Sequence, residues 1–288
     1  PNGDSLQGSY TTTQSALIVP DPGDSLKYYV FAAGPQAGVY SFAPYAGITY
    51  SIVDLSLAGG LGEVTIKNQN LLSPACEKLA GIKHCNQIDN WLITHEWNSD
   101  AFYAYLITAS GISSPIITNI GIVNQELIVS GNNTETLGYL KGSPNGKKIA
   151  SATYNTNKVE VFDFDALTGV LSNPITINLP GENTYGISFS PDNSKLYVST
   201  FSNIFQFDLM AGSAALVLAS QYTVATYTTN LLAALQLGPD SRIYISNTKV
   251  PTLKSDYLYR INYPNLSGAA CGYEIDAVKL VNYTYSIN

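Results

Sequence analysis

Short runs of alternating apolar and polar residues, broken by Pro, Gly, Asn and Asp, recur from one end of the chain to the other. No stretch keeps a 3.6-residue apolar period, so the pattern predicts strands and turns rather than helices. The clearest unit is an apolar strand, a Pro-Asp/Asn turn, then a strand that opens on a basic residue. It reads GYLKGSPNGKKIASATY from Gly138, YGISFSPDNSKLYVST from Tyr185 and AALQLGPDSRIYISN from Ala233. Pro presets one turn dihedral, and Asn, Asp and Gly tolerate the left-handed region that follows it. Weaker copies are LAGIKHCNQIDNWLITHEW from Leu79 and SALIVPDPGDSLKYYVFAA from Ser15.

Aligning the residue that opens the second strand gives Lys27, Asn90, Lys148, Lys195 and Arg242, spaced by 63, 58, 47 and 47 residues. Each copy is followed by a second hairpin, such as YSIVDLSLAGGLGEVTIKN, FYAYLITASGISSPIITNI and VEVFDFDALTGVLSNPITIN, with turn glycines Gly60, Gly111 and Gly169. The segments beginning at Ile204 and Tyr257 are degenerate versions of it. Four short strands per repeat predict an all-β fold, a β-propeller of four-stranded blades. A single such unit leaves both faces bare and is stable only when stacked on its neighbours. A β-sandwich explains the alternation but not five recurrences of one hairpin pair.

The expected organisation is one propeller domain over 1–288, with blades near 10–70, 77–120, 137–180, 184–220 and 231–288. Pro1–Ser9 reads as the tail of a preceding blade and Val281–Asn288 as a last outer strand. Six or seven blades, with a chain truncated at both ends, are therefore expected of the intact ring.

Composition changes the picture in two ways. Charged residues make up 12% and apolar residues 45%, with 21 Tyr and one Met, which suits strands and a large core. The net charge of −7 supplies no basic stripe for a nucleic-acid backbone and no attraction to anionic lipid. No apolar run approaches the ~20 residues that cross a bilayer as a helix, so no membrane insertion is expected.

At these residues the chain resembles the propeller region of gliding-motility-associated surface proteins of Bacteroidota exported by type IX secretion, which carry a C-terminal sorting domain. The resemblance rests on TQSALIVPDPGDSLKYYVF, YSIVDLSLAGGLGEVTIKN, EKLAGIKHCNQIDNWLITHEWNSDAFYAYLIT, GYLKGSPNGKKIA, FSPDNSKLYVST, LQLGPDSRIYIS and YPNLSGAACGY, nearly the whole chain. It implies an extracellular or outer-surface location and a part in adhesion, motility or surface-layer assembly, and it carries no active site to transfer.

Candidate chemistry is sparse. The first strand of each blade should line the channel where propeller enzymes hold their catalytic groups. Ser15–Val19, Leu79–His84, Gly138–Lys141, Tyr185–Phe189 and Ala233–Leu237 contain no Asp or Glu, whereas a glycosidase needs two carboxylates. Lys83 and Lys141 read as equivalent positions, where an anion or carboxylate ligand would fit, alongside Ser188 and Gln236. His95-Glu96 opens like a metalloprotease motif but lacks the second histidine. His95, Trp97 and nearby Tyr103 form a second ligand candidate, set against a packed inter-blade face.

No metal or other cofactor is expected. Ca²⁺ at the turns Asp21–Asp24, Asp89-Asn90 and Asn98–Asp100 is the weak exception, since none matches a calcium-loop spacing. Cys76 and Cys85 could close a disulfide worth about 2–3 kcal/mol, Cys85 could pair with Cys271, or all three could be thiols. Asp4-Ser5-Leu6 and Asp24-Ser25-Leu26 match a short O-glycosylation signal, making Ser5 and Ser25 its acceptors.

These readings converge on a non-enzymatic surface module that binds protein or glycan. A subunit of a surface layer or filament, completed by neighbouring chains, is the alternative, and a lactonase- or glycosidase-type propeller hydrolase is another.

Overall fold

A computed structural model describes residues 2–9, 12–34, 47–124, 134–227, 233–246, 254–280 and 285–286. Among the described residues, five antiparallel sheets of four or more strands follow one another along the chain, each close to a simple meander, beside one two-stranded ribbon. The first contains β1 (Ala16–Asp21), β2 (Asp24–Ala33), β3 (Ile48–Asp54) and β4 (Glu63–Leu72). The second contains β5 (Ala80–Lys83), β6 (Asn90–His95), β7 (Ala101–Thr108), and a fourth position shared by β8 (Gly111–Ile112) and β9 (Ile116–Asn119), which both pair with β7.

The third runs β10 (Leu140–Gly142), β11 (Lys148–Thr153), β12 (Lys158–Phe164) and β13 (Leu171–Asn178). The fourth has β14 (Ile187–Phe189), β15 (Lys195–Ser199), β16 (Asn203–Asp208) and, after the six-residue helix α1 (Ala214–Ala219), β17 (Tyr222–Thr226). In the fifth, β18 (Leu235–Leu237) and β19 (Ile243–Ile245) precede β20 (Lys254–Ser255), β21 (Tyr257–Ile261), β22 (Tyr273–Lys279) and β23 (Tyr285–Ser286). Its order is β18-β19-β21-β22, while β20 and β23 form a separate two-stranded ribbon.

Successive four-stranded meanders of this kind are the blades of a β-propeller. Helix α1 corrects the expectation of a chain without helices, and it occupies one of the degenerate hairpins. Ser213 caps it by accepting from the Leu216 amide. No helix among the described residues is long and apolar enough to cross a membrane.

The basic residue of the repeat has a structural reason. Lys27, near the start of β2, lies directly opposite Asp54 at the end of β3, and Lys195 opens β15 opposite Asp208 at the end of β16. Lys195 Nζ lies 3.0 Å from Asp208 Oδ2, and Lys27 lies 3.1 Å from Asp24 and 3.9 Å from Asp54. The Pro turns are closed by hydroxyls. Ser190 Oγ donates to Asp192 (2.7 Å) and accepts from the Lys195 amide (2.8 Å). Ser143, Asn145 and Lys148 repeat the arrangement.

The chain divides into two compact units. The first comprises 1–140 and 162–174, the second 141–161 and 175–288. In the first unit, Val19, Tyr29, Phe31, Leu92, Tyr105 and Ile107 belong to one buried cluster between the first two sheets. Gln14 joins two first strands through its amide. Its Nε2 donates to the carbonyls of Leu79 (2.8 Å) and Leu140 (3.1 Å), and its Oε1 accepts from both their amides.

Residues 2–9 lie along β4 without forming a strand, held by Asn68, which accepts from the Gln7 amide and donates to Ser5 O, and by Lys67 to Asp4 O. Of the expected last outer strand, only Tyr285 and Ser286 lie within the described residues, and they pair with β20.

In the second unit, Tyr197, Ile204, Leu235, Ile243, Ile245, Ile261 and Cys271 form the core between the fourth and fifth sheets. Tyr197 is fully buried, and its hydroxyl donates to Pro264 O (2.9 Å) in the turn between β21 and β22. Trp91 does the same work in the first unit: its Nε1 donates to Ala166 O (2.9 Å), and its ring lies against Gly169. An aromatic from one sheet's second strand thus meets the outer turn of the next.

Candidate active site

The first strands of three sheets in the second unit place one residue each at the same level. Ser188 in β14 pairs with Tyr197, two residues into β15, and Gln236 in β18 pairs with Tyr244, two residues past Arg242. Lys141 in β10 joins them. The bond from Ser143 N to Lys148 O matches those from Ser190 N to Lys195 O and from Gly238 N to Arg242 O. In each case the residue two positions earlier is Lys141, Ser188 or Gln236.

Lys141 Nζ donates to Gln236 Oε1 at 2.8 Å, and Gln236 Nε2 donates to Leu237 O at 3.0 Å, which fixes the amide's orientation. Ser188 is buried, and its hydroxyl donates to Phe189 O at a long 3.3 Å. Half-buried, Lys141 loses hydration of its ammonium, and that desolvation lowers its pKa to about 8. Near neutral pH such an amine exchanges a proton readily, and as an ammonium it stabilises developing negative charge.

Lys83 is not the equivalent of Lys141. It pairs with Asn90 at the turn end of β5, and its Nζ donates to Ile88 O of its own hairpin at 3.4 Å. The register equivalents of Lys141 in the first two sheets are Val19, opposite Tyr29, and Ile82, opposite Trp91 and two positions before the bond from His84 N to Asp89 O. The two lysines had looked alike because the length of the second sheet's hairpin turn cannot be read from the apolar pattern.

The second expected cluster does not form. His95 pairs with Phe102 and Thr94 with Tyr103, so the alternation of a strand sends His95 and Tyr103 to opposite faces of the second sheet. Tyr103 donates to Glu96 Oε1 (3.2 Å), and Trp97 is anchored by its amide to Pro74 O (3.4 Å). His95 is buried at 2% exposure and stacks edge-on against Phe102, with centroids 4.4 Å apart. Its Nδ1 lies 2.7 Å from Glu96 O, a group that only accepts, so Nδ1 carries the proton.

Cys76 and Asn124 lie at the same nitrogen, 3.8 and 3.3 Å away. Cys, His and Asn make up a known nucleophilic triad, but this one is wired wrongly, because a protonated Nδ1 cannot receive the thiol proton. Burial pushes the Cys76 thiol up to about 11 and the His95 imidazole down to about 3, keeping both neutral. The cluster is packing.

Cys76, Cys85 and Cys271 are all free thiols, which corrects the disulfide expectation. Cys76 is sealed beside His95, whereas Cys85 is exposed next to His84 at the hairpin turn, with the whole of β5 between them. Among the described residues no group of three His, Cys, Asp or Glu could hold a metal ion. The Asp turns spend their oxygens locally: Asp21 Oδ1 accepts from Gly23 N (2.8 Å), and Asp24 Oδ1 from Leu26 N (3.0 Å). Ser5 and Ser25 are exposed.

Sequence reasoning missed Gln14 and Lys78. The Lys78 ammonium is fully buried and donates to the carbonyls of Leu137 (3.2 Å) and Gly138 (2.9 Å). Beside it in sequence, buried Glu77 accepts from Thr13 N at 2.8 Å. Only the oddity of adjacent opposite charges before an apolar strand signals this in the sequence.

No protein-family model matches the chain, and no curated protein matches it. Solved structures that resemble it include the periplasmic gluconolactonase PpgL of Pseudomonas aeruginosa, with a TM-score of 0.56 at 12% identity, covering 91% of this chain and 70% of that one. A protein from Lactobacillus plantarum (TM-score 0.52, 14% identity, 86% and 67% covered) and a functionally unknown protein from Desulfotomaculum acetoxidans (0.52, 16%, 88% and 67%) are further examples.

At these identities the shared property is the fold. The gluconolactonase among them nevertheless overturns the expectation of a non-enzymatic module for protein or glycan adhesion. The absence of carboxylates from the first strands, on which that expectation leaned, speaks against a two-carboxylate glycosidase but not against a hydrolase that uses an amine.

Proposed function

We propose that the protein is a propeller hydrolase of the lactonase type, opening a sugar lactone with Lys141 as its proton-transfer group. The observation that carries this reading is the Lys141–Gln236 pair, a partly desolvated amine held by an amide at a level shared with Ser188. The likeness in fold to a gluconolactonase supplies the substrate class. Export to the cell exterior, expected from the family resemblance, belongs to the same proposal.

In the reaction, the neutral Lys141 amine takes a proton from water as the water oxygen bonds to the lactone carbonyl carbon. The carbonyl electrons move to its oxygen, toward which the Ser188 hydroxyl turns from its long bond to Phe189 O. When the oxyanion collapses, the ring carbon–oxygen bond breaks, and the Lys141 ammonium returns its proton to the departing ring oxygen. The product is the open hydroxy acid, and Lys141 ends neutral. Gln236 holds the amine in place through its carbonyl oxygen.

The test is acid release from glucono-1,5-lactone, with the spontaneous rate subtracted. Turnover is expected to rise through pH ~8, as a base of that pKa requires. Lys141→Met should lower the rate roughly 10²–10⁴-fold, the usual contribution of a proton-transfer group. Gln236→Glu should move the midpoint of the profile upward, because a carboxylate favours the ammonium. Wild-type protein that adds nothing to the spontaneous rate on any aldonolactone, or a fully active Lys141→Met, overturns the reading.

A further inference from the structure

We infer that the outer edge of β4 is a binding site for an extended peptide strand, occupied in this chain by its own residues 2–9. Both the edge and that segment belong to the first unit. A partner's strand takes the place the segment now holds, so it needs no room beyond that place.

β4 reaches outward at one point. Asn68 adopts a φ of 53° inside the strand, at the irregularity where β4 slips in register against β3. Asparagine tolerates this left-handed conformation. Its main-chain N–H goes to Ser51 Oγ (3.0 Å), and its side chain goes to the passing segment. There Oδ1 accepts from Gln7 N (2.8 Å), and Nδ2 donates to Ser5 O (2.9 Å). One amide thus pairs with a carbonyl and an N–H two residues apart, the spacing at which a strand residue bonds a parallel neighbour. Lys67 Nζ donates to Asp4 O, and Val64 O accepts from Asn2 Nδ2 (3.1 Å). Three of the four contacts reach main-chain atoms of the segment, so what is recognised is peptide backbone rather than side-chain identity. The outer strand β13 of the third sheet also has an asparagine at positive φ, Asn173 (51°), but that amide donates to Asp163 of its own sheet (2.9 Å).

The resident segment fits poorly. Among the described residues no main-chain hydrogen bond joins 2–8 to β4. Asn2 and Ser5 sit at positive φ (65° and 59°), and Leu6 is 38% exposed. Gln7 Oε1 is buried without a hydrogen-bond partner, which costs free energy. A regular strand without these faults makes the same backbone contacts and extends them along the edge as ladder bonds. Its one requirement is an N–H at the position of Gln7, which excludes proline there.

The probe is a fluorescein-labelled peptide of residues 2–9, NGDSLQGS, titrated against full-length chains by fluorescence anisotropy. Wild type should bind it weakly, because the tethered segment competes at high effective concentration. Gln7→Pro deletes the N–H given to Asn68 and frees the edge, so binding should tighten at least about tenfold. Adding Asn68→Gly, which keeps the left-handed backbone but removes the amide, should abolish that gain. Melting temperatures check that each variant is folded. A peptide N-methylated at the residue matching Gln7 asks the same question of the Gln7→Pro chain without a second substitution, and it should not bind. Binding no tighter in Gln7→Pro than in wild type, or binding indifferent to both Asn68→Gly and N-methylation, overturns the inference.

Discussion

Two buried bases show how environment decides what the same kind of nitrogen does. Lys141 loses hydration but keeps a polar partner in Gln236, so it titrates near pH 8. His95 is sealed among Phe102, Cys76 and Asn124, with the Lys78 charge nearby, and stays neutral down to about pH 3. Stability should reflect this. The unfolded histidine titrates near 6.5, so the unfolded state binds the extra proton first as pH falls. The contribution of His95 is therefore present above pH 6.5 and lost progressively between 6.5 and 3. Denaturant unfolding at a series of pH values should show that slope, and His95→Gln should flatten it. A slope unchanged by the substitution sinks the account.

At the scale of single elements, turns matter more than strands. Gly60, Gly111 and Gly169, picked out as turn glycines from spacing, all adopt positive φ, at 89°, 108° and 78°. Gly169 carries a second constraint, since an added Cβ would come within 2.7 Å of the Trp91 ring. Gly169→Ala should cost about 2–4 kcal/mol, combining backbone strain with overpacking. Gly59→Ala, also at positive φ but with open space around it, should cost only the strain, roughly 1 kcal/mol. Equal losses in the two variants, read from urea midpoints, would show that the Trp91 contact contributes nothing.

The elements also explain one misreading. Lys83 and Lys141 stand in similar apolar strings, but register depends on where each hairpin turns. The Asn86–Asp89 turn, with its Asx hydrogen bonds from the Ile88 and Asp89 amides, sets Lys83 one position off and so on the other face of its strand.

At the scale of the whole molecule, the three thiols report on opening. Cys85 is exposed, while Cys76 and Cys271 lie in the cores of the first and second units. A native sample should label at one thiol rapidly. The other two should react only at rates set by opening of their own units, slowed further by the high pKa of Cys76. Rapid native labelling of all three would contradict the packing described. Labelling Cys76 and Cys271 at different denaturant concentrations would show that the two units unfold separately.

The alternation of residue types was enough to define this protein's strands, its turn glycines and its five repeated sheets, because side-chain period and turn chemistry are local properties written in neighbouring residues. Which side chains meet was not local. Gln14 spans two first strands, Lys141 reaches Gln236, and Cys76, His95 and Asn124 converge although the sequence spreads them over 48 residues. Those encounters follow from strand register and from the stacking of one sheet on the next. Small differences in turn length control both, and the apolar pattern does not record them.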